Sequence, residues 1–219
     1  MSSQLPFSDK WQDNKKGPGF MSRIRDTVNP PTPIKVRIDT ASRQIKVLIT
    51  QLDGAVNRIR QRDEAIFAKV VSSLAVHDNE HASVYANELS EVRKMGKVVA
   101  QAQLALEQIV LRLGTITDLG EVAMTLAPAI TVIKSMKQGL SGALPEADRE
   151  IGEISGLLSG ILVDAGSVGG VSLNFDVANE DAQKVLDEAA AVAEQRISES
   201  FPEIPAGISG HERQEDLAS

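Results

Sequence analysis

Residues 34–116 read IKVRIDTASRQIKVLITQLDGAVNRIRQRDEAIFAKVVSSLAVHDNEHASVYANELSEVRKMGKVVAQAQLALEQIVLRLGTI, and the spacing of their apolar side chains decides the fold. In a first arm, Ile38, Ala41, Ile45, Leu48, Leu52, Ala55 and Ile59 are followed by Ile66, Val70 and Leu74. Steps that mostly alternate three and four place one apolar seam along a slightly supercoiled helix. A second arm repeats the pattern at Tyr85, Leu89, Val92, Met95, Val99, Ala102, Leu106, Ile109, Leu113 and Ile116. Between them, His77-Asp78-Asn79-Glu80 forms a short polar break in which Asp78 or Asn79 can turn the chain and cap the next helix. At about 1.5 Å per residue, arms of roughly forty residues are about 60 Å long. The spacing therefore predicts an all-α protein built on a long antiparallel helical hairpin.

Shorter helices are expected after the hairpin. Leu119, Val122, Leu126, Ile130, Ile133, Met136 and Leu140 share one face of a third helix, with Pro128 inside it as a kink or joint. A fourth starts near Pro145, with Glu146, Asp148 and Glu150 well placed against its dipole. Its seam is Ile151, Ile154, Leu157, Leu158, Ile161 and Leu162. Gly166 to Gly170 read as a flexible break, and an acidic amphipathic helix follows from about Val177 to Ile197. Gly114, Gly120, Gly139 and Gly142 suggest hinges at which helices either fold back or run straight on. The expected organisation is a flexible leader (1–33), a helical core (34–165), a linker with an acidic helix (166–197) and a disordered tail (198–219).

Aromatic content is only 3%, which suits helices zipped by Ile, Leu, Val and Ala. Cysteine is absent, so disulfides and thiolate metal sites are excluded. No apolar run approaches the roughly 18 residues of a membrane span, and the N-terminus lacks a secretory apolar region, so a cytoplasmic location is expected. The net charge of −7 conceals an asymmetry. Residues 1–140 hold nineteen Lys/Arg against fourteen Asp/Glu (+5), and residues 141–219 hold four against sixteen (−12). A basic front and an acidic back attract each other, within one molecule or between neighbours.

Two sets of residues invite binding. The leader carries Phe7, Trp11 and Phe20 among or just before Lys15, Lys16, Arg23, Ile24 and Arg25, the mixture of rings and cations that an interfacial membrane anchor needs. The polar face of the first arm is basic too: Lys35, Arg37, Arg43, Lys46, Arg58, Arg60, Arg62 and Lys69 outnumber Asp39, Asp53, Asp63 and Glu64. No nucleic-acid module is recognisable, so an anionic membrane is the expected polyanion, with Arg37, Arg58 and Arg62 among its contacts. In the tail, Phe201-Pro202-Glu203-Ile204-Pro205 alternates large apolar residues with prolines. Prolines favour an extended backbone, so Phe201 and Ile204 are presented at low ordering cost to a groove between a partner's helices.

Catalytic patterns are weak. His77-Asp78-Asn79-Glu80-His81 matches H-x-x-E-H, but zinc binding requires both histidines on one helix, and here they straddle the turn. Gly166, Gly169 and Gly170 lack the G-K-[ST] and preceding strand of a phosphate loop. No enzyme activity, metal or cofactor is expected.

Taken together, the basic first helix, long hairpin, shorter acidic helices and terminal φ-P-x-φ-P motif resemble the ESCRT-III superfamily, and most of all the archaeal CdvB cell-division paralogues. The stretch from Pro33 to about Ala165, roughly three-fifths of the chain, looks like their core. The resemblance implies a non-enzymatic subunit that polymerises, alone or with paralogues, into filaments on the inner face of the cell membrane at the division site, where they constrict and cut membrane necks. It implies a closed state with acidic helices folded back and an open state with straightened helices. Phe201, Pro202, Glu203, Ile204 and Pro205 look like the family's second type of MIT-interacting motif, which by analogy recruits a AAA ATPase that remodels or extracts subunits. The chain lacks room for the winged-helix extension of the longer archaeal paralogue, so a shorter paralogue is the better fit. A bacterial-type membrane-stress coat protein shares the hairpin without needing the tail motif. A soluble coiled-coil adaptor is the alternative outside the superfamily.

Overall fold

The computed structural model describes residues 33–169 and 175–202, whose secondary structure is helix and turn throughout. Helix α1 spans Ile34–Ala75 and α2 spans Asn79–Gly114. At 42 and 36 residues they are about 63 and 54 Å long. The remaining helices are α3 (Leu119–Ala143), α4 (Ala147–Gly169) and α5 (Phe175–Ser200).

The turn between α1 and α2 closes as the sequence suggested, but through a residue with a special conformation. His77 adopts φ 59°, the left-handed region. Its N–H donates to the Leu74 carbonyl at 2.9 Å, and the next N–H, of Asp78, reaches back to the Ser73 carbonyl at 2.9 Å. That pair of bonds is the Schellman ending of a helix, with His77 where glycine is usual. Asp78 is then the N-cap of α2, its carboxylate accepting the His81 N–H at 3.1 Å.

The predicted seams are buried. Ile38, Ala41, Ile45, Leu48, Leu52, Ala55, Ile66 and Val70 of α1 lie inside, as do Leu89, Val92, Val99, Ala102, Leu106, Ile109 and Leu113 of α2. Ile59, Leu74, Tyr85, Met95 and Ile116 are only partly covered. Helix α2 also buries Ala100, Leu104 and Ala105, because α3 and α5 pack on it as well as α1. Helix α3 buries nearly every residue from Leu126 to Ile133, Pro128 included, since it touches α2, α4 and α5. It runs unbroken through Pro128, and Gly139 and Gly142 lie inside its last turns, not at a joint. The break falls instead at Leu144–Glu146, where the Ala147 N–H donates to the Leu144 carbonyl at 3.1 Å.

Helix α4 packs on α1 and α3, and continues to Gly169 instead of breaking at Gly166. Buried Ala165 holds this last part against the core, and the Ser167 hydroxyl donates to the Asp164 carbonyl at 2.8 Å. Helix α5 lies on α2 and α3 through Ala178, Ala182, Val185, Ala189 and Ala193. It extends three residues past the expected end at Ile197. Most of the core is one cluster drawn from all five helices, from Ile38 to Ala193. A second, smaller cluster, Ile66, Val70, Ala86, Leu89 and Val92, belongs to α1 and α2 alone. Among the described residues, the tip half of the hairpin is thus a two-helix coiled coil, and the base half is clad in three more helices.

Candidate functional site

The border between clad and bare hairpin holds a polar cluster. Along α1 the apolar steps jump from Ile59 to Ile66, and the seam position between them is filled by Asp63, which is 0% exposed. A carboxylate this deep needs a cation and hydrogen-bond donors. Arg93 of α2 supplies both: its Nε donates to Asp63 Oδ1 at 2.6 Å and its Nη2 to Oδ2 at 3.2 Å. This two-pronged geometry is particular to the guanidinium fork. Asp63 is therefore a seam residue, contrary to its expected place on the polar face of α1.

The same Arg93 reaches the end of α5. Its Nη2 donates to the Pro202 carbonyl at 2.7 Å, and its Cζ lies 5.5 Å from the centre of the Phe201 ring, within the range of a cation–π contact. Phe201 carries the helix one residue further, its N–H donating to the Ile197 carbonyl at 3.0 Å. Phe201 as a whole is only 8% exposed. Beneath it sits Gly96, where an added Cβ would lie 3.2 Å from Ile59 Cγ2, 3.6 Å from Ile197 Cδ1 and 3.8 Å from Phe201 Cζ. Glycine at this point lets α1, α2 and the end of α5 meet closely.

The tail pentad is thus placed only in part. Phe201 is covered by the hairpin and Pro202 is exposed beside it, whereas Glu203, Ile204 and Pro205 lie outside the described residues. The signal that could have located this polar cluster was the seven-residue step from Ile59 to Ile66, which leaves an acidic residue in an otherwise apolar seam. Nothing local to Arg93 or Gly96 marks them.

The expected membrane contacts also divide. Phe7, Trp11, Lys15, Lys16, Phe20, Arg23, Ile24 and Arg25 lie outside the described residues. Arg37, Arg58 and Arg62 are placed, and each faces a carboxylate. Arg37 pairs with Asp164 of α4, lying over Gly160, whose lack of a side chain leaves room for it. Arg58 is 4.0 Å from Glu146, and Arg62 is 2.9 Å from Glu88 of α2. Lys97 of α2 pairs with Glu194 of α5, and Lys137 of α3 lies 3.5 Å from Asp148 of α4. Four of these five pairs join the basic front of the chain to its acidic back. Exposed pairs contribute roughly 0–1 kcal/mol each, so they orient the helices more than they hold them.

His77 and His81 do not share a helix, since His77 occupies the turn. His81 Nδ1 is 2.8 Å from Asp78 Oδ2, within the cap. The Asp78 carboxyl is held below its ordinary pKa, chiefly by the His81 backbone N–H. Glu121 is lowered likewise, first by the Thr117 N–H at 2.7 Å and then by the Thr117 hydroxyl at 2.9 Å. Both shifts come from helix ends, where free N–H groups favour the carboxylate. Among the described residues no group of His, Asp and Glu is arranged to hold a metal, and no helix is long and apolar enough to cross a membrane.

Sequence comparison finds curated relatives. The chain is 39% identical over 208 residues to the curated Cell division protein B1 of Sulfolobus acidocaldarius, covering 94% of each. It is 31% identical over 175 residues to Cell division protein B of the same organism, covering 78% of this chain and 67% of that one. No protein-family model matches the chain, and no solved structure matches it significantly.

Proposed function

We propose, for a chain that belongs to the CdvB family of ESCRT-III-type cell-division proteins, that it polymerises on an anionic membrane at the division site and constricts the membrane neck there. Membership of the family makes the chain an archaeal-type cell-division protein. The finer reading rests on one observation: the α1 arginines suited to a membrane are engaged by carboxylates, two of them by the acidic back half, as Arg37–Asp164 and Arg58–Glu146. The packing of α4 and α5 on the hairpin supports reading this as the closed form. Release of the acidic helices frees the same cations for lipid headgroups and bares the α2 and α3 surface for neighbouring subunits, either copies or paralogues. A AAA ATPase with a MIT domain, docking on the tail pentad, disassembles the filament. The N-terminal aromatics anchor it.

Electron microscopy of the purified full-length protein, of a truncation after Gly169 and of Glu146→Gln/Asp164→Asn, with and without liposomes rich in anionic lipid, tests the proposal. Filaments or remodelled tubules that increase when α5 is removed or the two carboxylates are neutralised support a membrane polymer restrained by its acidic back half. Monodisperse protein that ignores lipid in both forms refutes it, leaving a helical adaptor.

A further inference from the structure

We propose that the Asp63–Arg93 pair is a register lock: it adds little to the strength of the hairpin, and admits one alignment of α1 against α2 where a wholly apolar seam would admit several.

The seam by itself is permissive. Ile45, Leu52, Ile59 and Ile66 recur every seven residues along α1, and Tyr85, Val92, Val99, Leu106 and Leu113 do so along α2. Sliding one helix by a heptad therefore lays apolar side chains on apolar side chains again. In the base half such a slide is opposed by α4, packed on α1, and by α3 and α5, packed on α2. The tip half lacks that cladding, and its buried core is the aliphatic set Ile66, Val70, Ala86, Leu89 and Val92. Nor does the turn decide the matter. The Asp78 cap favours the observed alignment, while the left-handed conformation of His77 opposes it with a cost of similar size.

Two features break the repeat, and both lie where the cladding ends. Asp63 accepts two hydrogen bonds from Arg93, and Ile59 is seated over Gly96, where an added Cβ would lie 3.2 Å from Ile59 Cγ2. A slide of one heptad in one direction sets Asp63 opposite Ala86 and Arg93 opposite Val56, and drives Ile59 against Leu89. In the other direction Asp63 meets Ala100 and Arg93 meets Val70. Either slide strands a carboxylate inside the seam without its cation, which is strongly unfavourable. The aligned pair, by contrast, gives no more stability than two apolar side chains of similar volume. The pair therefore penalises wrong alignments without strengthening the right one, the best-attested use of a polar group in a coiled-coil seam.

Alignment also sets the outer surface of the tip half, which the two arms build jointly. Arg62 is 2.9 Å from Glu88, and Lys69 Nζ lies 5.4 Å from the centre of the Tyr85 ring. A heptad slide moves such partners about 10 Å apart along the axis. Copies in different alignments would thus present different patterns of charge to a neighbour. Asp63 and Arg93 act here as positioning residues for that surface.

The test measures alignment directly in the full-length protein. The chain has no cysteine, so Gln61→Cys on α1 and Ser83→Cys on α2, both exposed, take one spin label each. The two sites are offset along the hairpin by about 18 Å, and a heptad slide changes that offset by about 10 Å. Pulsed electron spin resonance should give a single distance in the labelled parent. Asp63→Leu/Arg93→Met, still folded, should give a second population displaced from the first. Phe201→Ala, which removes the ring beside Arg93 but leaves the ion pair, should keep the single distance. A folded double variant with only the parent distance overturns the lock. A double variant that no longer folds also overturns it, because the pair would then hold the hairpin together and not choose its alignment. A second population in Phe201→Ala overturns it too, by giving the choice of alignment to the end of α5.

Discussion

The Asp63–Arg93 pair permits a sharp prediction because its two members are unequally buried. Asp63 is 0% exposed, whereas the Arg93 side chain retains 18% of its surface. Arg93→Met fills a similar volume but strands a fully buried carboxylate without its cation or its two hydrogen bonds. Breaking a buried pair from one side costs about 3–5 kcal/mol. For a domain of this size that corresponds to a fall in Tm of about 6–20 °C, at roughly 2–4 °C per kcal/mol. Asp63→Leu should cost less, because the guanidinium left behind can swing its charged end into water along a long stem. The double variant Asp63→Leu/Arg93→Met replaces the pair with two apolar side chains in a seam that is apolar elsewhere, and it should recover most of the stability lost in Arg93→Met. Denaturant unfolding at neutral pH, followed by helical circular dichroism, measures all three against the parent chain. The reasoning fails if Arg93→Met costs less than about 1 kcal/mol, the value for an exposed pair. It fails equally if the double variant is no more stable than Arg93→Met.

Other expectations follow from the same geometry. Replacing His77 with glycine removes a left-handed strain of about 1–2 kcal/mol and should raise the unfolding midpoint; a lowered midpoint would mean that the imidazole itself holds the turn. Asp78 and Glu121 have native pKa values below their ordinary ones, so the stability they contribute is complete above those ordinary values and is lost as the pH falls through the lowered native ones. Asp78→Asn and Glu121→Gln should each make stability fall less steeply with acidification below about pH 4.5, read from denaturant midpoints across a pH series. Raising salt from about 0.1 to 1 M shortens the screening length from about 10 to 3 Å. Exchange along α5, which Lys97–Glu194 ties to α2, should then rise by about two- to fivefold relative to α1; equal changes in both helices would refute an electrostatic tie.

The apolar spacing alone determined the hairpin, its turn near Asp78, and the order of the helices after it, because helical period is a local property of the chain. Ile45, Leu48, Leu52, Leu106 and Ile109 could be assigned to the seam without any structure, and they are buried in it. The charge imbalance between the two ends pointed to attraction within one molecule or between neighbours, and the fold places four such pairs within one molecule. Tertiary structure alone decided where single residues end up when several neighbours compete for them. Helix α2 buries Ala100, Leu104 and Ala105 beyond its predicted face because three other helices cover it, and a one-face pattern does not register that. Helix α3 runs through Pro128 because packing on several sides outweighs a missing hydrogen bond. Asp63 sits in the seam because Arg93, thirty residues away, neutralises it there. Phe201 is covered because α5 runs towards the hairpin tip and brings Pro202 to that same arginine, 109 residues distant in sequence. Periodicity is written in near neighbours; the satisfaction of a buried charge, and the occlusion of a ring, depend on partners that only the folded chain brings together.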